Sequence, residues 1–293
     1  MTDTIICPTD YSEASERALE LAVRHLADGD AEVHLLHVDD LPTYGLATGS
    51  ALDDPLRAHW RDSEGRLLET YGREARVHVA TRHGRPAKEI IAYAEDVGAS
   101  LIVMATRGRP ALSRAFLGSV ADKVVRTSSV PVITVDPDAS VGAVRRILCA
   151  VDFSSCSEVA LREATRLAAR RGARVHLIHV CELVGSYTFP DGTTYYDAQL
   201  DAALRADARR DMDALRARFD AEVVVSGEIE SGIVHEGIAA YASETGVDLI
   251  VVGTHGRTGM NRVVLGSVAE RVIRTARVPV MVVPIADDAI AGS

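Results

Sequence analysis

No apolar run in this sequence approaches the eighteen or so residues needed to cross a bilayer, so membrane insertion is not expected. No run of basic residues offers a patch to polyanions. With 42 Asp and Glu against 32 Lys and Arg, the net charge of −10 argues against a nucleic-acid partner and favours solubility. Met1 to Asp10 holds two acids and no basic residue, which is not the pattern of a secretory leader, and a cytoplasmic location is expected. Cysteine is sparse: Cys7 and Cys149 sit inside apolar stretches, and Cys156 and Cys181 are scattered. Buried reduced thiols are expected rather than disulfides or a metal cluster. The Gly-x-x-x-x-Gly-Lys-Ser/Thr loop is missing, with its phosphate-binding lysine. No Ser/His/Asp or Cys/His nucleophile can be assigned from spacing. Rapid ATP hydrolysis is therefore not expected, and no catalytic residue is named.

What the chain does have is a repeat. From Asp248 to Arg274 an apolar run, Leu249 to Val252, leads through Gly253 and Gly256 to Gly266 and Ser267, where a helical pattern begins. The stretch from Ser100 to Arg126 does the same, with Gly108, Gly118 and Ser119, but with Ala105 where Gly253 stands. A strand leading through a glycine loop into a helix start suits phosphate binding. Glycine lets the backbone approach an anion, and the first helical turn offers unpaired N–H groups and a positive dipole end. Asp10 and Asp152, like His37 and His179, stand 142 residues apart; Gly84 and Gly232, like Gly118 and Gly266, stand 148 apart. Six residues are thus inserted in the second copy between Val180 and Gly232. Two domains are expected, residues 1–137 and 144–286, each large enough for its own core, with Asp136 to Val144 as the linker.

Within the first copy, strands are expected at Thr4–Cys7, Val33–Val38, Val77–Thr81, Leu101–Ala105 and Val130–Val135. Helices are expected at Ser12–Ala27, around Leu56–Tyr71, from near Pro86, and at Ser119–Arg126. The second copy repeats strands at Ile147–Val151, Val175–Val180 and Val278–Val283, and helices at Val159–Arg170 and from Leu200 to Phe219. Leu200, Leu204, Ala208, Met212, Leu215 and Phe219 form that last helix's core stripe. The insertion, Cys181 to Asp197, reads as a loop carrying Tyr187, Phe189, Tyr195 and Tyr196. Three readings stand for it: packing on its own domain, cover over a ligand, or contact with the other copy. Strands alternating with helices imply βαβ units and a parallel sheet.

Asp10 and Asp152 follow the first strand of each copy, where an open α/β sheet binds ligands. Either acid can accept from a ribose hydroxyl or an adenine amine, or can serve as a turn or cap residue. Ser119 precedes Asp122 by three and Ser267 precedes Glu270 by three, the capping-box spacing, compatible with phosphate contact. Arg109 and Arg257 either offset phosphate charge or are solvated. His34 and His37, like His176 and His179, are three apart on a strand and face opposite ways, so no metal site is expected.

Gly253-x-x-Gly256, nine residues and Gly266-Ser267, with Asp152 after the first strand, all recurring in the first copy, resemble the universal stress proteins. The resemblance runs over both copies, as a tandem pair. It implies two five-stranded parallel-sheet α/β sandwiches of the nucleotide-binding, Rossmann-like kind, forming a pseudo-two-fold pair through the last strands, with further homodimerisation open. Many members bind ATP without a metabolic reaction, and others lack the loop and do not. Carried over by position, Asp152 and Val180 would hold adenine and ribose, and Gly253, His255, Gly256, Gly266, Ser267 and Val268 the phosphates. The first-copy counterparts are Pro8, Thr9, Asp10 and Val38, then Arg107, Gly108, Gly118, Ser119 and Val120. Ala105 departs from the pattern, modestly if its φ is negative and harmfully if positive, which ranks the second site above the first. The function implied is a stress-response protein that binds ATP, with Mg2+ as an optional companion, as a non-enzymatic regulatory module. The alternatives are a protein-interaction scaffold with degenerate sites, or a slow ATP hydrolase.

Overall fold

The computed structural model describes residues 3–40, 53–108, 117–182, 186–188, 194–196, 198–254 and 265–285. Contacts divide the chain into two units, Met1–Ala143 and Val144–Ser293.

In the first unit, β1 (Thr4–Thr9) is buried at every position, as a parallel strand covered on both faces should be. Ser12 then caps α1 (Glu13–Glu20), its hydroxyl accepting from the Ser15 N–H. The helix continues as a π-turn through Leu21–Leu26, closed by Ala27 N–H donating to Ala22 C=O at 2.7 Å. There follow β2 (Glu32–Asp39), α2 (Asp53–Tyr71), β3 (Arg76–His83), α3 (Pro86–Asp96), β4 (Leu101–Ala105), α4 (Ser119–Thr127) and β5 (Val132–Val135). Pro86 opens α3 at a position that needs no N–H. All strands pair in parallel, in the order β5-β4-β1-β2-β3. Ile6, Leu19, Leu35, Leu36, Ile102 and Ile133 fill the core.

The second unit repeats this plan with β6 (Arg146–Ala150), α5 (Ser155–Arg171), β7 (Arg174–Cys181), β8 (Ser186–Thr188), β9 (Thr194–Tyr196), α6 (Ala198–Arg216), β10 (Val224–Ser231), α7 (Val234–Thr245), β11 (Leu249–Gly253), α8 (Ser267–Thr275) and β12 (Val280–Val283). Its parallel order is β10-β7-β6-β11-β12. Ser154 caps α5 as Ser12 caps α1, and Gly172 ends it at φ 60°, a left-handed position that suits glycine. In each unit the chain order across the sheet reverses between the first and fourth strands, which opens a crevice at their carboxyl ends.

Four expectations need correction. The insertion is not simply a loop: β8 and β9 pair as an antiparallel hairpin, Tyr187 opposite Tyr195. The core stripe of α6 is shorter than its periodicity suggests. Ala208, Met212 and Leu215 are buried, but Leu200 is 42% exposed. The stretch 136–144 is not a slack linker throughout. Ala139 is fully buried, and the Arg17 guanidinium donates to Pro137 C=O at 2.7 Å and Ala139 C=O at 2.9 Å. Finally, β10 and α7 occupy residues to which the sequence reading assigned no element. All four cysteines are buried, and none is in a disulfide. Burial pushes the Cys149 thiol up to about 12 and raises Cys7 as well, so neither is a nucleophile near neutral pH.

Candidate functional site

The turn after β1 sets the geometry of the first site. Asp10 Oδ1 accepts from the Ser12 N–H at 3.0 Å and the Ser12 hydroxyl at 2.5 Å, folding the chain back into α1. Between them Tyr11 takes φ 57°, a left-handed conformation rarely held by an aromatic residue. That conformation carries its ring against His37 of β2, with centroids 4.9 Å apart, and Trp60 of α2 lies 4.6 Å from the same imidazole. Burial, with Glu64 adding to it, pushes the Tyr11 phenol up to about 12, so it stays protonated. His37 Nδ1 bonds Thr9 C=O at 3.0 Å, while its Nε2 is buried and has no hydrogen-bond partner.

The opposite wall comes from β4 and α4. Gly118 N–H donates to Thr106 C=O at 2.8 Å, drawing the helix start onto the end of the strand, and a Cβ at Gly118 would stand 3.0 Å from that same carbonyl. Glycine at 108 has a second reason besides anion approach: a Cβ there would collide with Asp10 Oδ2. Thr106 Oγ1, like His37 Nε2, is buried without a partner.

Between these walls lies a cavity of about 740 Å3, within the range of small-ligand sites. Pro8, Thr9, Asp10, Val38, Arg107, Gly108, Gly118, Ser119 and Val120 all line it, so every first-copy residue carried over from the resemblance is brought together. Two of them are already committed elsewhere. The Arg107 guanidinium donates to Asp136 at 2.6 Å, with the pair largely buried, and the Thr9 hydroxyl accepts from the Tyr11 N–H at 2.9 Å.

The second unit rebuilds the arrangement. Asp152 Oδ1 accepts from Ser154 N–H at 3.1 Å and its hydroxyl at 2.5 Å, Phe153 takes φ 62°, and its ring sits 4.6 Å from His179. Gly266 N–H donates to Thr254 C=O at 2.7 Å. A cavity of about 670 Å3 is lined by Asp152, Val180, Gly253, Gly266, Ser267 and Val268. His255 and Gly256, with Arg109 and Arg257, lie outside the described residues.

Two sequence expectations about these sites change. The capping box does not form: the caps of α4 and α8 are Gly118 and Gly266, and Ser119 and Ser267 are the first helical residues, exposed beside the cavities. Asp122 and Glu270 pair instead with Arg126 and Arg274 one turn on. Ala105 does not have a positive φ, and neither does Gly253; both are ordinary strand ends, paired with Val135 and Val283. The methyl group is therefore tolerated, and the ground for ranking the second site first disappears. Sequence reasoning missed Phe153, His37, His179 and Trp60 as site walls, and Tyr11 as the ring packed on His37. The repeated Asp-aromatic-Ser turn was the available signal.

The universal stress protein family model matches the sequence twice, over residues 1–136 and 143–284. The chain belongs to the universal stress protein family. A universal stress protein of Mycolicibacterium smegmatis is 28% identical over 292 residues, covering 95% of this chain and 96% of the relative. A shorter universal stress protein of Methanocaldococcus jannaschii is 34% identical over 145 residues, 45% of this chain and 80% of its own length. The solved structure of a universal stress protein from Archaeoglobus fulgidus superposes with a TM-score of 0.69 at 28% identity, covering 98% of this chain and 97% of that one. This universal stress protein and that solved structure thus share an α/β fold over nearly the whole of both chains. Among its described residues no helix is long and apolar enough to cross a membrane.

Proposed function

We propose that the protein binds ATP in its glycine-capped cavities and acts as a nucleotide-dependent regulatory module in a cytoplasmic stress response. One observation carries the reading. Two buried polar atoms, His37 Nε2 and Thr106 Oγ1, have no partner, and both belong to residues lining the cavity onto which α4 opens. A buried polar atom without a hydrogen bond costs about 1–3 kcal/mol, which a polar ligand or water at this wall would relieve. The α4 and α8 amino termini, each capped by glycine, would hold phosphates through backbone N–H groups. Asp10 and Asp152 would accept from the nucleoside. Differential affinity of ATP for two states of the protein would supply the switching.

The second cavity favours a modified reading. Asp152, Glu182, Asp207 and Asp211 line it, and acids in that number suit a triphosphate only with a divalent cation between them. We infer a Mg2+-dependent second site beside a less cation-dependent first one. The test is equilibrium binding of a fluorescent ATP analogue to the intact chain, with mass analysis of nucleotide co-purifying with it. Two sites are expected with Mg2+ and one with chelator. No saturable binding under either condition would leave the scaffold reading in its place.

A further inference from the structure

Toward the other end of β2 and β3, away from the first cavity, lies a group of side chains that the cavity does not use. Glu32 and His34 are two apart on β2 and so share a face, and His78 on β3 is the register partner of His34. Their donor atoms all lie within 4.8 Å of one another. His34 Nε2 is 3.7 Å from Glu32 Oε2, and His78 Nε2 is 3.9 Å from the same oxygen. Tetrahedral zinc, with bonds of about 2.0–2.1 Å, holds its ligand atoms roughly 3.3 Å apart. Glu32 and His78 need only small rotations to reach that spacing, and both reach solvent, with side chains 35% and 53% exposed.

His34 points to the same use. Its side chain is only 12% exposed, and its Nε2 is buried with no hydrogen-bond partner. Its other nitrogen, Nδ1, is 2.8 Å from the Tyr93 hydroxyl of α3. When Nδ1–H donates to Tyr93, Nε2 carries the free lone pair beside Glu32 and His78, the tautomer that a metal requires. Tyr93 is itself held in place, with the Arg82 guanidinium 5.1 Å over its ring and Arg82 paired to Asp96 at 2.6 Å.

We propose that Glu32, His34 and His78 form a binding site for a divalent metal of the zinc class, with Tyr93 as the positioning residue and a fourth position open to water. Two imidazoles and a carboxylate suit zinc, cobalt or nickel better than magnesium or calcium. The second unit supplies an internal control. Arg174, His176 and Ser226 stand in place of Glu32, His34 and His78. There His176 Nδ1 bonds Ser226 Oγ at 2.8 Å, and burial first, then Arg146 and Arg174, disfavour positive charge on the ring. Among the described residues, the grouping of two imidazoles and a carboxylate occurs in the first unit and not at the equivalent place in the second.

The test uses the untagged full chain, zinc in competition with a chromophoric chelator, and the visible absorption of added cobalt. One equivalent of zinc is expected, with a tetrahedral cobalt spectrum. His78→Ala and Glu32→Gln each weaken binding by more than about 100-fold, whereas Tyr93→Phe costs about 10–100-fold and leaves the stoichiometry at one. Arg174→Glu combined with Ser226→His adds a second equivalent. Circular dichroism checks folding, and Glu32→Gln stands in should His78→Ala disturb it. Wild-type chain that binds no zinc stoichiometrically overturns the proposal, and so does one-equivalent binding that both substitutions leave unchanged.

Discussion

The two cavities are built on the same backbone and lined by different charges. In both, a glycine N–H binds a threonine carbonyl, an aspartate folds the turn after the first strand, and an aromatic ring in a left-handed turn meets a histidine. Yet among the described residues the first is lined by Asp10, Asp40 and Arg107, with that arginine tied to Asp136, and the second by Asp152, Glu182, Asp207 and Asp211. Backbone donors are set by the turn and cannot drift without unfolding it. Side chains just after β7 and on α6 can change singly, so the electrostatics of duplicated sites diverge first while the cradle persists.

That comparison can be broken most severely at the helix caps. An aspartate at Gly118 or Gly266 would set a carboxylate beside the phosphate position; at about 4 Å and an effective dielectric near 20, the repulsion is about 4 kcal/mol. Each change should remove one site from a binding isotherm and spare the other; a single substitution that abolishes both would show the sites to be coupled. Next in size, Gly108→Ala should drive the Asp10 carboxylate from its seat and weaken only the first site, by about tenfold, as for one charge-assisted hydrogen bond. In a double-mutant cycle it should add nothing to Asp10→Ala. Asp207→Asn with Asp211→Asn should raise nucleotide affinity a few-fold at the second site in chelator and hardly change it in Mg2+, since these exposed acids are partly screened. Titration calorimetry at both conditions decides this.

A smaller effect concerns pH. Burial lowers the pKa of His34 and His176 from the ordinary 6.5, so the unfolded chain takes up protons that the folded one refuses. Stability is then level above 6.5 and declines as pH falls below it toward the lowered folded values. His34→Gln should flatten part of that decline in denaturant midpoints measured between about pH 7 and pH 5.5. Smallest of all, Ala105→Gly should change first-site affinity by less than about 0.5 kcal/mol, because the φ there already suits any residue.

Much of this architecture is legible in the residues. VHLLHV and VHLIHV mark the second strand of each copy, and the glycine and serine positions place the cradles, since those features depend on local periodicity and backbone freedom. Other features depend on partners that a single strand does not specify. The spacing of His34 and His37 correctly sets them on opposite faces, but the grouping of Glu32, His34 and His78 follows from the register between β2 and β3. The β8–β9 hairpin escaped because Ser186–Thr188 and Thr194–Tyr196 are too short to show alternation. The capping box misled because serine and acid spacing fits equally well one residue further in, once glycine takes the cap.

The left-handed turns at Tyr11 and Phe153 have a wider implication. Either aromatic side chain holds a conformation that glycine or asparagine would adopt with less strain, at a difference of roughly 1–2 kcal/mol. A thermostability screen should therefore favour small residues at 11 and 153, and in doing so strip the rings from His37 and His179. Hardiness and a well-shaped pocket pull in opposite directions at these two positions.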